Sequence, residues 1–162
     1  MVHVQSALAQ LQKYRLVVEH TSNMVVITDA SKRIEYVNPA YTEVTGWTLD
    51  DVRGLKPGTL LQGPDTNPQT VLQISDALAQ GRAIKDVELL NYKRRGEPYW
   101  VSLSIQPIRD EQGALTHFVA IQSDVTARRQ AREALEASER RLAEAQSVAR
   151  MASFECDLAR AC

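Results

Sequence analysis

The stretch MVVITDASKRIEYVNPAYTEVTGW, residues 24–47, decides the fold. Its first part, MVVITD, is rich in β-branched residues, and a second such run, IEYVN, follows after the polar segment ASKR. This spacing predicts two strands that form a hairpin. Proline is tolerated in the first turn of a helix and glycine commonly follows the last. Asn38-Pro39 and Gly46 therefore predict the start and the end of a short helix.

Three further strands and a longer helix are predicted downstream of this stretch. Residues 54–68, GLKPGTLLQGPDTNP, contain three glycines and three prolines and are expected to be largely loop. A helix follows from Pro68 to Gln80. The segments AIKDVELLNYK, PYWVSLSIQPIRD and ALTHFVAIQSDV carry the alternation that is typical of strands. Five strands with helices inserted after the second predict an α+β fold, in which helices cover one face of a five-stranded antiparallel sheet.

Helices are also predicted on both sides of this domain. Residues 4–19 place their apolar side chains on one face, which predicts an amphipathic N-terminal helix. The segment ARRQAREALEASERRLAEAQSVAR, which begins at Ala127, has no glycine, proline or aromatic residue. Its alanines, leucines and serine recur with a 4-3 spacing, which favours a parallel coiled coil over a lone charged helix in solvent. The predicted boundaries are 1–21 for the N-terminal helix, 22–126 for the domain, 127–150 for the linker and 151–162 for a further segment.

The overall composition excludes several classes of protein. The net charge of −1 across 162 residues gives no basic surplus for nucleic acid or for an anionic membrane. The start of the chain lacks the features of a signal peptide, and the cytoplasm is the expected compartment. Cys156 and Cys162 are expected to be free thiols because neither has a zinc ligand at a suitable spacing. The sequence shows no nucleophile-base pair and no phosphate-binding loop, so this piece is not expected to be an enzyme.

The stretch 24–47, together with GRAIKDVELLNYKRRGEPYWVSLSIQPIRDEQGALTHFVAIQSDVT, resembles a PAS domain over residues 22–126. Within that superfamily, the segments LLQGPDT, LLNYKRRG, PYW, PIRDEQG and AIQSDVT resemble the light–oxygen–voltage (LOV) subgroup. The tail RLAEAQSVARMASFECDL resembles the linker and opening strand of a second PAS domain. The resemblance implies a sensory fragment of a longer protein whose output domain is a histidine kinase or a cyclic-di-GMP enzyme.

The same resemblance raises a question about light chemistry. LOV domains carry a cysteine in the loop that faces the flavin ring, and blue light attaches its sulfur to the flavin. In this chain the matching position falls on Pro57 or Gly58, so neither alignment supplies a thiol. Cys156 and Cys162 lie beyond the domain. A cysteinyl-flavin photocycle is therefore not expected.

A flavin remains the cofactor that the resemblance implies, although each matching amide could instead be satisfied by the backbone. Two arginines that hold the phosphate in LOV domains have no counterpart near Thr59 or at Ser75, which favours FAD over FMN. Haem is not expected, because the helix from Pro68 to Gln80 has no histidine. The candidate ligand-binding residues are of three kinds. Gln62, Asn91 and Gln122 match the amides of the family, and Val101 lies where the family has a further strand amide. Strand alternation predicts that Val26, Thr28, Leu103 and Phe118 point inward.

If Gln122 faces inward, then Trp100, Val119 and Ile121 lie on the outer face of the sheet. Such an apolar face predicts a homodimer through residues 4–18, this outer face and the coiled coil. Asp124 and Thr126 match the PAS signature that joins the last strand to the output helix. The sequence thus predicts a sensor that transmits a ligand or redox change at Gln122 to the linker. The alternative is a structural PAS module that dimerises and spaces other domains without a ligand.

Overall fold

The computed structural model describes the backbone of residues 12–161 and the side chains of residues 12–152. Residues 12–20 form helix α1. The strands are β1 (Met24–Asp29), β2 (Ile34–Val37), β3 (Ile84–Tyr92), β4 (Pro98–Arg109) and β5 (Leu115–Asp124). The other helices are α2 (Pro39–Thr45), α3 (Leu49–Val52), α4 (Pro57–Leu61), α5 (Pro68–Ala79) and α6 (Thr126–Ala161).

The five strands form one antiparallel sheet in the order β2-β1-β5-β4-β3. Strands β1 and β2 form one hairpin, and β3, β4 and β5 form a meander that joins it through the β1–β5 pair. Helices α2 to α5 connect the two edges of this sheet and pack against its strands. The predicted α+β architecture is therefore confirmed.

Local sequence signals explain where α2 begins and ends. The Asn38 side chain accepts a hydrogen bond from the Tyr41 backbone N–H, and Pro39 occupies the first turn. Gly46 adopts a φ of 82°, a left-handed conformation that glycine reaches without a steric penalty, and its N–H donates to the Thr42 carbonyl. Both predicted ends of this helix are confirmed.

The largest buried side chains lie between the sheet and these helices. Met24, Val26, Ile34, Tyr41 and Tyr99 are each at most 2% exposed. Burial raises the pKa of Tyr41 to about 12, because the phenolate would lose its hydration in the core. The same cause, burial above all, raises the pKa of Tyr99.

The C-terminal helix α6 belongs to a second compact unit, Thr126–Cys162. Leu135 and Leu142, which the coiled-coil pattern places on its seam, are each 60% exposed on the single chain. The backbone is helical through Ala161, so the strand predicted near the end of the tail is wrong for residues 151–161. The sheet of the described residues contains only β1 to β5, and a helix satisfies the backbone groups of residues 151–161 within the segment itself. The second PAS domain stays a prediction.

The sequence prediction for the N-terminal segment lies partly outside the described residues. Residues 12–20 are helical, and residues 1–11 are not described. At the end of α1, the Val17 carbonyl accepts from the Thr21 backbone N–H at 3.0 Å. Two residues later, Asn23 leads the chain into β1.

Candidate ligand site

A cavity of about 320 Å³ lies between the inner face of the sheet and helices α4 and α5. This volume is at the lower end of the range of about 300–1,000 Å³ that small-molecule sites occupy. Strands β1, β3, β4 and β5 provide one wall, and α4 and α5 provide the other. Because α4 follows directly after the loop around Lys56, the glycine- and proline-rich segment of the sequence forms part of the site.

Six of the eight sequence-predicted contact residues line this cavity: Thr28, Gln62, Asn91, Leu103, Phe118 and Gln122. Strand alternation placed Thr28, Leu103, Phe118 and Gln122 on the inner face, and the strand pairing brings these four together, whereas Gln62 and Asn91 were predicted from the resemblance. Phe118 lies opposite Thr28, and Gln122 lies opposite Leu103. Contact of these residues with a ligand stays a prediction.

Val26 and Val101 do not line the cavity, although both face inward. Each is 0% exposed and belongs to the core cluster that contains Tyr41 of α2. Helix α2 packs on β1, and neither α2 nor α3 contributes a residue to the cavity wall. These two valines therefore fill the core beside the cavity. Alternation gave the correct face of the sheet but not the position along it.

Gln122 is the most informative polar residue of the cavity. It lies on β5, is 4% exposed, and its Oε1 atom is buried without a hydrogen-bond partner in the described part of the chain. An acceptor that is removed from water and left unpaired costs about 1–3 kcal/mol. The geometry therefore leaves this amide ready to accept a hydrogen bond from a ligand in the cavity.

The position of the absent cysteine also lies on the cavity wall. Pro57 and Gly58 both line it, and the Gln62 side chain folds back over Gly58. A Cβ atom on Gly58 would lie 2.9 Å from Gln62 Nε2. An amide therefore occupies the space beside the helix where a side chain at residue 58 would begin.

Asn91 approaches the cavity from β3. It is 4% exposed and lies directly opposite Tyr99 of β4. An amide carries both donors and acceptors, which suits a ligand with alternating N–H and C=O groups. Asn91 and Gln122 lie on β3 and β5, which are separated by β4. The remaining wall is largely apolar, with Leu89, Leu103 and Ile105 among its members.

Sequence reasoning missed two charged residues at the cavity, Lys32 and Lys56. Lys56 directly precedes the Pro57-Gly58 pair, and this adjacency could have indicated it. Lys32 lies in the β1–β2 turn, and only the folding of that hairpin brings it to the wall. Thr59 and Ser75, where the sequence lacks the two arginines, line the same cavity with hydroxyl groups.

The predicted signal-transfer residues lie at the end of the domain. Asp124 is the last residue of β5, and Thr126 is the first residue of α6. Between them, the Val125 backbone N–H donates to the Trp100 carbonyl at 2.9 Å, which extends the attachment of this segment to β4. Their role in signalling stays a prediction.

The described part of the chain contains neither a cluster of metal ligands nor a helix suited to crossing a membrane. Among residues 12–152, His, Cys, Asp and Glu side chains form no cluster that could hold a metal ion. None of the described helices is both long enough and apolar enough to cross a membrane. His117 lies away from the cavity, where its Nε2 atom is 3.2 Å from Glu35 Oε2.

Comparison with known proteins supports the PAS resemblance. The PAS domain family model matches residues 22–127. A blue-light-activated histidine kinase of Rhizobium johnstonii is 40% identical over 127 residues, which cover 76% of this chain and 36% of the relative. The Brucella ovis protein of the same name is 38% identical over 116 residues, covering 70% of this chain and 23% of the relative. The chain thus spans about a third or less of these relatives.

Two solved structures are similar in fold. An RNA-binding light–oxygen–voltage receptor matches with a TM-score of 0.71 and 25% identity, over 79% of this chain and 36% of that one. The light-state LOV domain of Aureochrome1 matches with a TM-score of 0.61 and 33% identity, over 68% of this chain and 87% of that one. The chain belongs to the PAS domain family and is LOV-like within it.

Proposed function

We propose that this chain is a flavin-binding LOV-like sensor module of a larger signalling histidine kinase. The observation that carries the proposal is the buried, unpaired Gln122 Oε1 in a largely apolar cavity. The blue-light-activated histidine kinases and LOV structures described above support the same class of ligand and of output. The resemblance in sequence implies either a histidine kinase or a cyclic-di-GMP enzyme as the output domain, and these relatives favour the kinase.

The cavity residues fit a flavin ring. Gln122 and Asn91 offer amide groups to its polar edge, while Leu103 and Phe118 give it apolar contacts and exclude water. A bound flavin would supply blue-light absorption and electron acceptance. The cavity wall contains no cysteine, so the proposed response involves no covalent bond between a thiol and the ligand. FAD, which the sequence favoured, and FMN are both candidates.

Signal output is proposed to pass along β5. A change at the ligand alters the hydrogen bond to Gln122, and this strand continues through Asp124 to Thr126 at the start of α6. In a dimer, the α6 helices of the two copies would form the proposed coiled coil that carries the signal onward. Ile121 on the outer sheet face is 45% exposed, and Leu135 on α6 is 60% exposed, so burial against a second copy would remove apolar surface from water. The compartment stays a prediction from the sequence, namely the cytoplasm.

The first experiment is an absorbance spectrum of the purified chain, before and after incubation with FMN and FAD. The expected result is the near-ultraviolet and blue bands of a bound flavin that coelutes with the protein. A chain that binds neither flavin would contradict the proposal and would leave the structural, ligand-free module.

The Gln122→Leu variant tests the observation itself. Removal of an unpaired buried acceptor should stabilise the ligand-free protein, whereas loss of a ligand contact should weaken flavin binding about 5- to 150-fold, the equivalent of about 1–3 kcal/mol. Gln106→Leu is the matched control, because Gln106 is exposed on β4. A Gln122→Leu variant with unchanged flavin affinity would show that this amide does not contact the ligand.

A further inference from the structure

The charges at the cavity wall are all of one sign. Lys32 and Lys56 are the charged residues that line it, and the wall includes no Asp or Glu. The chain as a whole carries a net charge of −1, so this pair of lysines is not a sample of a generally basic surface. Two ammonium groups at the wall of an otherwise neutral cavity favour a ligand with a negative charge.

The lysines belong to the solvent-accessible part of the wall. Gln122 and Phe118 are buried, with exposures of 4% and 3%. Lys56, Thr59 and Ser75 are exposed, and Lys32 is half-buried. We call these four residues the mouth, because a charged group beside them would keep part of its hydration while the rest of the ligand enters the apolar interior.

Neither lysine side chain is engaged elsewhere in the described part of the chain, where it has no ion pair or hydrogen bond. Two acids lie three residues from Lys32 in sequence. Asp29 accepts through its Oδ1 atom from the backbone N–H groups of Ser31 and Arg33 at 2.9 and 3.0 Å, and Glu35 Oε2 lies 3.2 Å from His117 Nε2. The Thr59 hydroxyl donates to the Lys56 carbonyl at 2.7 Å, which ties the backbone of Lys56 to α4 and leaves its ammonium group unused.

We propose that Lys32 and Lys56 form an anion-binding mouth that holds the phosphate or carboxylate end of a ligand whose apolar body fills the cavity. The proposal deepens the proposed function, because it concerns the same cavity. For a flavin, it means that these lysines replace the missing arginines and that a phosphorylated flavin binds more tightly than riboflavin. A fatty acid would present the same chemistry through its carboxylate.

The test compares the affinities of FMN and riboflavin, which share the ring and differ in the phosphate. They are measured by flavin fluorescence titration of the ligand-free chain, for the wild type, Lys32→Gln, Lys56→Gln and the double variant. Each ion pair at a solvent-exposed mouth is expected to contribute up to about fivefold. FMN should therefore bind up to about 25-fold more tightly than riboflavin, and this ratio should fall to about one in the double variant.

Two controls distinguish a local mouth from general charge. Lys85→Gln removes the same charge from an exposed position that does not line the cavity, and should leave the FMN-to-riboflavin ratio unchanged. Riboflavin affinity should be equal in all four lysine variants and the wild type. Added salt should reduce the ratio, because it screens exposed charges.

The outcomes separate this inference from the proposed function. Equal binding of FMN and riboflavin by the wild type would overturn the anion-binding mouth and leave the flavin site intact. Binding of neither would refute the flavin proposal, and dodecanoate would then be compared with dodecanol by thermal shift. A preference for dodecanoate that the double variant loses supports the mouth with a fatty acid as its ligand, and the absence of that preference overturns it.

Discussion

Asn38 offers a direct test of how the domain is held together. Its side chain is fully buried and makes four hydrogen bonds. Its Oδ1 atom accepts from the backbone N–H groups of Val25 and Tyr41 at 2.9 and 3.1 Å, and its Nδ2 atom donates to the carbonyls of Val18 and Asn23 at 2.8 and 2.9 Å. This amide therefore joins the end of α1, strand β1 and the start of α2.

The Asn38→Ala variant should lower the free energy of unfolding by about 3–5 kcal/mol. Each lost hydrogen bond contributes about 1 kcal/mol net, and the buried N–H groups of Val25 and Tyr41 would also be left without a partner. That loss is a large fraction of the roughly 5–15 kcal/mol that stabilises a typical domain. Asn67→Ala is the matched control. The Asn67 side chain makes one exposed capping bond, to the Gln69 N–H at 2.9 Å, and its removal should cost about 1 kcal/mol.

Urea denaturation followed by circular dichroism measures both variants, with a common slope indicating that the unfolded states are comparable. Asn38→Asp adds a second measurement. It retains an oxygen for Val25 and Tyr41 but places a second oxygen against the carbonyls of Val18 and Asn23. Hydrogen exchange at the end of α1 should therefore accelerate more than exchange in the sheet. An Asn38→Ala loss no larger than that of Asn67→Ala would refute the reasoning.

Three further predictions concern the core, the cavity wall and the outer face. The pKa of Tyr41 is raised, so its contribution to the free energy of unfolding is fully present below pH 10.0, and about 2–3 kcal/mol is lost as the pH rises toward about 12. Tyr41→Phe should remove this part of the alkaline destabilisation in urea titrations at several pH values. An unchanged dependence of the free energy of unfolding on pH would contradict the prediction. Gly58→Ala should displace only the flexible Gln62 amide and lower the free energy of unfolding by less than about 1 kcal/mol. The methyl group of Gly63→Ala would overlap the Tyr92 ring, so this variant should lose about 1–3 kcal/mol. Equal melting temperatures of the two variants would refute the contrast. Ile121→Glu should shift a dimer toward the monomer in sedimentation velocity while Gln112→Glu does not, and a wild type that is monomeric at all concentrations would refute the outer face as an interface.

Strand alternation predicted one part of the site well. Phe118, Ala120 and Gln122 recur every second residue on β5, and all three line the cavity. The face of a strand is a local property, because successive side chains point to opposite sides of the sheet. The position along the sheet is not local. Val26 and Val101 are on the correct face, but they pack in the core cluster that contains Tyr41 of α2.

The lysines at the mouth show a second limit of sequence reasoning. The resemblance matches two arginines to positions near Thr59 and at Ser75, and their absence predicts a loss of positive charge. The structure brings Lys32 to the same cavity from a turn that is distant in sequence, and Lys56 from the preceding loop. A charge requirement can be met by any element that reaches the ligand, so an alignment of single positions does not exclude it.

The hydrogen bonds around β5 connect the cavity with the end of α1. Ser123, the neighbour of Gln122, donates through its hydroxyl to Asn23 Oδ1 at 3.1 Å, and the Asn23 carbonyl accepts from Asn38 Nδ2. Asn38 in turn donates to Val18 at the end of α1. Along the backbone, Gln122 is connected through Asp124, the last residue of β5, to the first residue of α6.

A movement of β5 at Gln122 would thus act on the attachment of α1 through hydrogen bonds and on the start of α6 through the backbone. The β1–β5 backbone pairing and the Val25 N–H that donates to Asn38 offer a second route to α1. Ser123→Ala should therefore weaken the response of α1 to ligand without abolishing it and leave ligand affinity unchanged, which hydrogen exchange with and without flavin would measure. An identical ligand-dependent change in exchange at α1 in Ser123→Ala and in the wild type would show that the coupling takes another route.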